Sequence, residues 1–105
     1  MKVYIGTVVA PGDWQVDVTD GIRRSPLPHH VKHSPDGFAW GYNGAGPNEL
    51  ARCLLIDATG EEDPHPSVVL RYRRQVIALL DKDTGFTLSQ NSILSWWRNE
   101  SNVDE

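Results

Sequence analysis

Three stretches of this chain place side chains at spacings that could do chemistry. The first is Gly41-Tyr42-Asn43-Gly44-Ala45-Gly46-Pro47, a glycine-rich turn that runs into an apolar-periodic segment. A helix entrance of this kind offers free backbone N–H groups and the positive end of the helix dipole, which together bind anions. The spacing matches neither a phosphate loop, which needs Gly-Lys-Ser/Thr, nor the dinucleotide fingerprint. Glu49, just beyond, also opposes a phosphate. A tight turn in which glycine supplies φ > 0 and close packing explains the pattern better. The second stretch is Phe38, Trp40 and Tyr42, alternating with Gly37, Ala39 and Gly41. If extended, it has one aromatic face and one nearly bare face. Aromatic faces stack on bases or anchor protein partners. A core face covered by helices is the plainer expectation, with Tyr42 keeping its polar end in water. The third is Arg71, Arg73 and Arg74. At about 100° per residue, Arg71 and Arg74 fall on the far face of a helix and Arg73 at its flank. They could grip phosphate or acidic side chains. A solvated face, with Glu61, Glu62 and Asp63 as neighbours, is the simpler reading. The binding candidates are therefore Trp40, Tyr42, Asn43, Gly44, Gly46, Arg71 and Arg74.

Other reactive groups form no constellation. His29-His30-Val31-Lys32-His33 invites a metal, but zinc needs three or four matched ligands. Only Cys53 and His65 are further donors, and Cys53 sits in an apolar helical pattern. A solvated loop is expected, with no metal and no cofactor. No Ser or Cys stands at a spacing that signals a base and an orienting acid. Asp81 and Asp83 read as loop residues. The chain reads as a binder with no catalytic residues.

The elements that must carry these residues divide the chain in two. Lys2–Val9 reads as a strand with Tyr4, Gly6 and Val8 on one face. Pro11-Gly12 makes a turn, and Trp14–Thr19 alternates cleanly, so the two form a hairpin. Ile22–His30 contains Pro26 and Pro28 and is irregular or an edge. Val31–His33 reads as a short strand and Ser34–Gly37 as a turn. Gly37–Tyr42 is then a further strand, leading directly into the first helix. Pro47 suits that helix's first turn, and Glu49 suits the positive end of its dipole. Leu50, Ala51, Leu54, Leu55 and Ala58 recur at helical spacing up to Gly60, a good terminator. A second helix spans Ser67–Leu80 with an apolar stripe of Val69, Tyr72, Val76, Leu79 and Leu80. Thr87 or Ser89 caps a third, and Thr87–Gln90 has capping-box spacing. Ile93, Leu94, Trp96 and Trp97 dock it. The fold class is α+β: an N-terminal antiparallel sheet of three to four strands, then three helices packed on one face. Residues 1–98 form the single domain, and 99–105 form a polar tail that frays.

A chain of 105 residues with 39% hydrophobic and 23% charged residues is globular, and large enough for one modest core. The net charge of −4 works against broad binding to nucleic acid and suits a basic protein partner. A single cysteine excludes an internal disulfide. The N-terminal apolar run is too broken for a signal peptide, and no segment approaches the roughly 18 apolar residues of a membrane span. A cytoplasmic protein that avoids membranes is expected.

The stretch Gly37–Ala51 carries a resemblance. Gly37, Phe38, Trp40, Gly41, Tyr42, Gly44, Gly46 and Pro47, then Leu50-Ala51, are similar to the core of a family of small domains of unknown function. That family occurs in phages, plasmids and other mobile elements, bacteria and archaea. Looser similarity runs through Tyr72, Val76-Ile77-Ala78, Phe86-Thr87-Leu88 and Ile93–Trp96. The chain departs from the pattern in its basic loop Arg23–His33 and its acidic insertion Glu61–His65. The resemblance implies a genomic setting and no chemistry. Together with small size and acidity, it points to a mobile-element accessory protein that binds a protein. An inhibitor of a host defence complex, anti-CRISPR-like, is its concrete form. The competing expectations are a nucleotide- or small-ligand-binding module using Gly44, Gly46, Trp40 and Arg71 or Arg74, and a less favoured nucleic-acid binder using the arginine helix.

Overall fold

The computed structural model describes residues 1–32 and 37–103, with side chains through Glu100. Strand β1 (Val3–Ala10) pairs antiparallel with β2 (Asp13–Thr19), and Val8 lies opposite Trp14. Gly12, at φ 80°, turns the hairpin. The edge strand β3 (Arg24–Pro26) follows β2 on its outer side. On the other edge β4 (Phe86–Ser89) pairs with β1, which gives the antiparallel order β3-β2-β1-β4. Three helices complete the α+β fold: α1 (Ala45–Thr59), α2 (Pro66–Gln75) and α3 (Gln90–Val103).

The alternation expected of β1 is present. Tyr4 and Gly6 are buried, and the register sets them beside Val18 and Val16 on one side and Leu88 and Phe86 on the other. Gly6 is bare for a reason. A Cβ there would lie 2.1 Å from Cε2 of Phe86, whose ring occupies the space a side chain would fill. From α1, Leu50, Ala51, Leu54, Leu55 and Ala58 are all buried, and each leucine contributes roughly 1.5–3 kcal/mol by leaving water. Gly60, in the left-handed region at φ 80°, ends α1 by donating its N–H to Ile56.

Several expectations need correction. Gly37–Tyr42 is not a strand: it belongs to no sheet and enters α1 as an irregular segment. Gly37 and Gly41 take φ of 115° and 85°, outside the β region, so the sequence alternation has no pleat to ride on. Val31 and Lys32 form no strand either; His33 and residues 34–36 of the proposed turn lie outside the described residues. Of the acids expected beside the arginines of α2, Asp63 turns elsewhere, as shown below. α2 stops at Gln75, and a single 3₁₀ turn (Ile77–Leu79) replaces its last stretch. That break rotates Ile77 into the core and leaves Leu79 77% exposed, so the continuous stripe through Leu79 does not form. Phe86–Ser89, read as a helix approach, is also the fourth strand. Ser89 is the cap, accepting from Ser92 N at 3.1 Å. Gln90 does not reach back to Thr87. Its backbone N–H donates to Lys2 O (2.9 Å) and its side chain donates to Ala58 O (3.0 Å), tying α3 to both β1 and α1. α3 itself runs from Gln90 through Val103.

Candidate functional site

Four rings run from the core to the surface. Phe86, over Gly6, meets Trp40 edge-on with centroids 4.9 Å apart. Trp40 is fully buried, and its Nε1–H donates to Asp81 O (3.0 Å) and Thr84 O (3.1 Å), so its one polar atom is satisfied. Trp14 stacks on Trp40 at 5.0 Å and is half-buried. Tyr42 tilts against Trp14 at 6.4 Å and is 45% exposed. The ladder ends in a hollow of about 340 Å³ lined by Gly12, Trp14, Gly37, Phe38, Ala39, Tyr42 and Gly46. A second hollow of about 280 Å³ shares Trp14, Gly37 and Phe38 and continues along β2 to Asp17, Pro26 and Leu27. Together they form an aromatic groove with small residues between the rings.

The glycines beside the groove serve packing. Gly41 combines φ 85° with a position where a Cβ would meet Lys82 N at 2.7 Å, and its N–H donates to Ile77 O (3.0 Å). A Cβ on Gly46 would lie 2.8 Å from Cβ of Ala39, and one on Gly44 would lie 2.9 Å from the Tyr42 ring. Arg73 secures this turn from α2: its Nε donates to Asn43 Oδ1 (3.1 Å) and its Nη1 to Asn48 Oδ1 (3.4 Å).

Behind Phe38 lies a polar clamp. Glu49 is fully buried on α1, and its carboxylate accepts Lys32 N–H (2.9 Å to Oε2, 3.2 Å to Oε1). His29 Nε2 stands 3.0 Å from Glu49 Oε2, and its ring lies 4.7 Å from that of Phe38. Arg52 Nη1 donates to His30 O (3.0 Å), while its Nη2 and Lys32 Nζ flank Asp63 at 3.6 and 3.7 Å. The His29–Lys32 segment is thus bound to α1 through its backbone and the His29 ring, while His30, Val31 and Lys32 stay exposed, as expected of a solvated loop. Glu49 holds it there, a role different from stabilising the helix dipole.

The structure separates the candidates nominated from sequence. Tyr42 and Gly46 line the groove, Trp40 supports it from beneath, and Asn43 and Gly44 shape the turn beside it. Arg71 and Arg74 are not among its walls. Arg71 pairs with Glu100 of α3, and Arg74 is exposed. Of the three arginines it is Arg73 that reaches the turn, and Asp63 serves Arg52 and Lys32. Trp14, Phe38 and Glu49 are among the residues of the site that went unnominated, although Phe38 was read as part of the aromatic row. Trp14 read only as a half-buried strand residue. Glu49 stands four positions before Cys53 on one helix face, and that spacing beside an apolar stripe is the signal that could have marked it.

Elsewhere the polar groups are structural. Tyr4 Oη donates to Asp57 Oδ2 (2.7 Å), which Lys2 Nζ also approaches at 3.2 Å; burial, then this bond to a carboxylate, pushes the Tyr4 phenol well above its ordinary range. Burial likewise raises Tyr72, and pushes the Cys53 thiol up to about 11, which leaves it a poor nucleophile. Among the described residues, no group of three or more His, Cys, Asp or Glu is placed to hold a metal ion. Among them, too, no helix is long and apolar enough to cross a membrane.

Over residues 4–99 the chain matches the model of a family of unknown function, DUF6166, and it belongs to that family. Comparison with curated proteins and with solved structures returned no match.

Proposed function

Taking the chain as a DUF6166 member, we propose that it is a binding protein whose partner, itself a protein, seats in the groove between Trp14, Phe38 and Tyr42. The observation that carries this reading is the ring ladder's outer end. Tyr42 is 45% exposed beside a half-buried Trp14, around a hollow of about 340 Å³. Aromatic anchors over a rigid base are what partner sites are built from. The base here is rigid because Trp40 is stacked, buried and doubly hydrogen-bonded.

The alternatives draw less support. A nucleotide module would join Trp40 and Arg71 to Gly44 and Gly46, but Trp40 is buried and Arg71 is engaged by Glu100. A nucleic-acid surface on α2 would need several cations facing solvent, yet Arg71 and Arg73 both have protein partners and the chain carries −4. In this proposal the protein is an accessory of mobile elements that acts in the cytoplasm of a bacterial or archaeal cell, a setting suggested by the sequence resemblance. Inhibition of a host defence complex is the concrete form of the proposal. The exposed Glu61 and Glu62 would add negative charge to the surface it presents.

The test is a paired capture from host lysate with the wild-type chain and Tyr42→Ala. The expected result is a specific protein held by the wild type and lost from the variant, with both chains equally folded by circular dichroism. An identical set of captured proteins from both would overturn the groove as the docking site.

A further inference from the structure

Away from the aromatic groove, we infer a binding site for a small zwitterion of the amino-acid type, between Asp57 of α1 and the turn that joins β2 to β3. A hollow of about 290 Å³ lies there, and it shares no lining residue with the hollows beside Trp14. The strand register explains why it is open. Tyr4, Val18 and Ser25 stand opposite one another on adjacent strands, so all three lie on the face of the sheet that carries the core. Cover over that face thins outward: Tyr4 is fully buried, Val18 half-buried and Ser25 exposed. The short strand β3 carries the sheet beyond the helices that cover Tyr4, and the step left bare forms part of the hollow.

The lining holds uncommitted polar groups of both signs. The Asp57 side chain is only 15% exposed, and both of its bonds, from Tyr4 Oη and Lys2 Nζ, fall on Oδ2. Its Oδ1 has no partner among the described residues, so the carboxylate keeps room for another donor. On the turn, Arg23 has no acidic partner among the described residues, whereas Arg24 beside it is held by Asp17 at 2.9 Å. Asp20 shapes this turn: the N–H groups of Arg23 and Ile22 donate to its Oδ1 and hold its carboxyl below the usual range.

Charge and size then select the ligand. Two cations, Lys2 and Arg23, and two carboxylates, Asp20 and Asp57, line the hollow, so the lining carries no net charge. That balance suits a molecule bearing both signs better than a simple anion or cation. Val18 and Pro28 add apolar contact. The volume lies at the lower end of ligand pockets, roughly 300–1,000 Å³, which fits one small molecule and not a nucleotide. The ligand's ammonium donates to Asp57 Oδ1, its carboxylate accepts from the Arg23 guanidinium, and a short aliphatic side chain rests on Val18 and Pro28.

Amide NMR and calorimetry on the intact chain test this with three probes. These are L-valine, L-valinamide, which lacks the carboxylate, and N-acetyl-L-valine, which lacks the ammonium. L-valine should bind tightest and shift the amides of Lys2, Val18, Ser25 and Asp57. Arg23→Gln alters an exposed side chain and leaves the fold intact; it should weaken L-valine by at least about tenfold and leave L-valinamide unchanged. Ser25→Phe, also at an exposed position, should fill the hollow and abolish binding. Equal affinity for L-valine and either blocked probe would overturn the zwitterion. No binding of L-valine, shifts confined to Trp14, Phe38 and Tyr42, or unchanged affinity in Arg23→Gln would overturn the site itself.

Discussion

Glu49 and Tyr42 reverse the usual rule of burial within one short stretch of chain. The carboxylate of Glu49 is wholly enclosed, while the ring of Tyr42 stands 45% in water. The enclosed charge has every reason to be there. It receives a backbone N–H from Lys32 and the His29 imidazole, and so joins a loop to a helix. The exposed ring, by contrast, lies over Gly44, brings its hydroxyl to Gly46 and leans on Trp14. A buried polar group with partners is architecture, and an exposed apolar group on a fixed base is a surface waiting to be used. The comparison separates the scaffold from the site without reference to any ligand.

Substitutions can break or sharpen it. Trp40→Ala should cost the most, about 4 kcal/mol in urea unfolding, because it removes the buried ring between Phe86 and Trp14 and leaves the Asp81 and Thr84 carbonyls without their donor. Glu49→Ala should cost about 3 kcal/mol by the same measurement, since the Lys32 N–H and His29 lose a charged acceptor inside the protein. A cost below about 1 kcal/mol would mean that the clamp is not scaffold. Gly46→Ala should cost about 2 kcal/mol, because its Cβ meets that of Ala39 at 2.8 Å on a helix that cannot give way. Gly44→Ala meets a ring that can swing and already has extended backbone at φ 177°, so its stability loss should be smaller while the groove changes shape. Tyr42→Ala should move stability by less than about 1 kcal/mol and binding by far more.

The pH response sharpens the same division. Cys53, Tyr4 and Tyr72 all have folded-state pKa values raised by burial. Groups raised in this way hold their protons longer in the folded chain, so their contribution is complete below the unfolded values and fades as pH climbs through the folded ones. Stability should therefore fall above about pH 9, the ordinary thiol value, and continue falling through 11. Cys53→Ala should flatten the first part of that decline, as followed by thermal melts across alkaline buffers.

What could be read from sequence was whatever local pattern decides. The hairpin follows from the alternation of β1 and β2 and the Gly12 turn; α1 follows from its leucine spacing and Gly60. The fourth strand was hidden because Phe86–Ser89 acquires its identity from pairing with β1, more than 80 residues away in the register Val3–Ser89. The aromatic row was visible but its geometry was misjudged. Alternation of ring and glycine looks like a pleat, yet two glycines with positive φ bend it so that Trp40 goes inward and Tyr42 outward. Trp14 was missed because its importance lies in stacking on a residue from a different element. The role of Glu49 depends on the loop laid over it. The arginines were nominated from a helical wheel, but side-chain reach decided that Arg73 holds Asn43 while Arg71 turns to Glu100.

Gly6 lies in the middle of the sheet with no side chain, and the Phe86 ring rests where one would be. Trp40 leans on that ring, Trp14 on Trp40, and Tyr42 on Trp14. The height of the outermost ring is therefore set by a missing methyl group at the far end of the row. Adding that methyl would act like a wedge under the first of four rings in contact, and the surface proposed to meet a partner would shift without any of its own residues having changed.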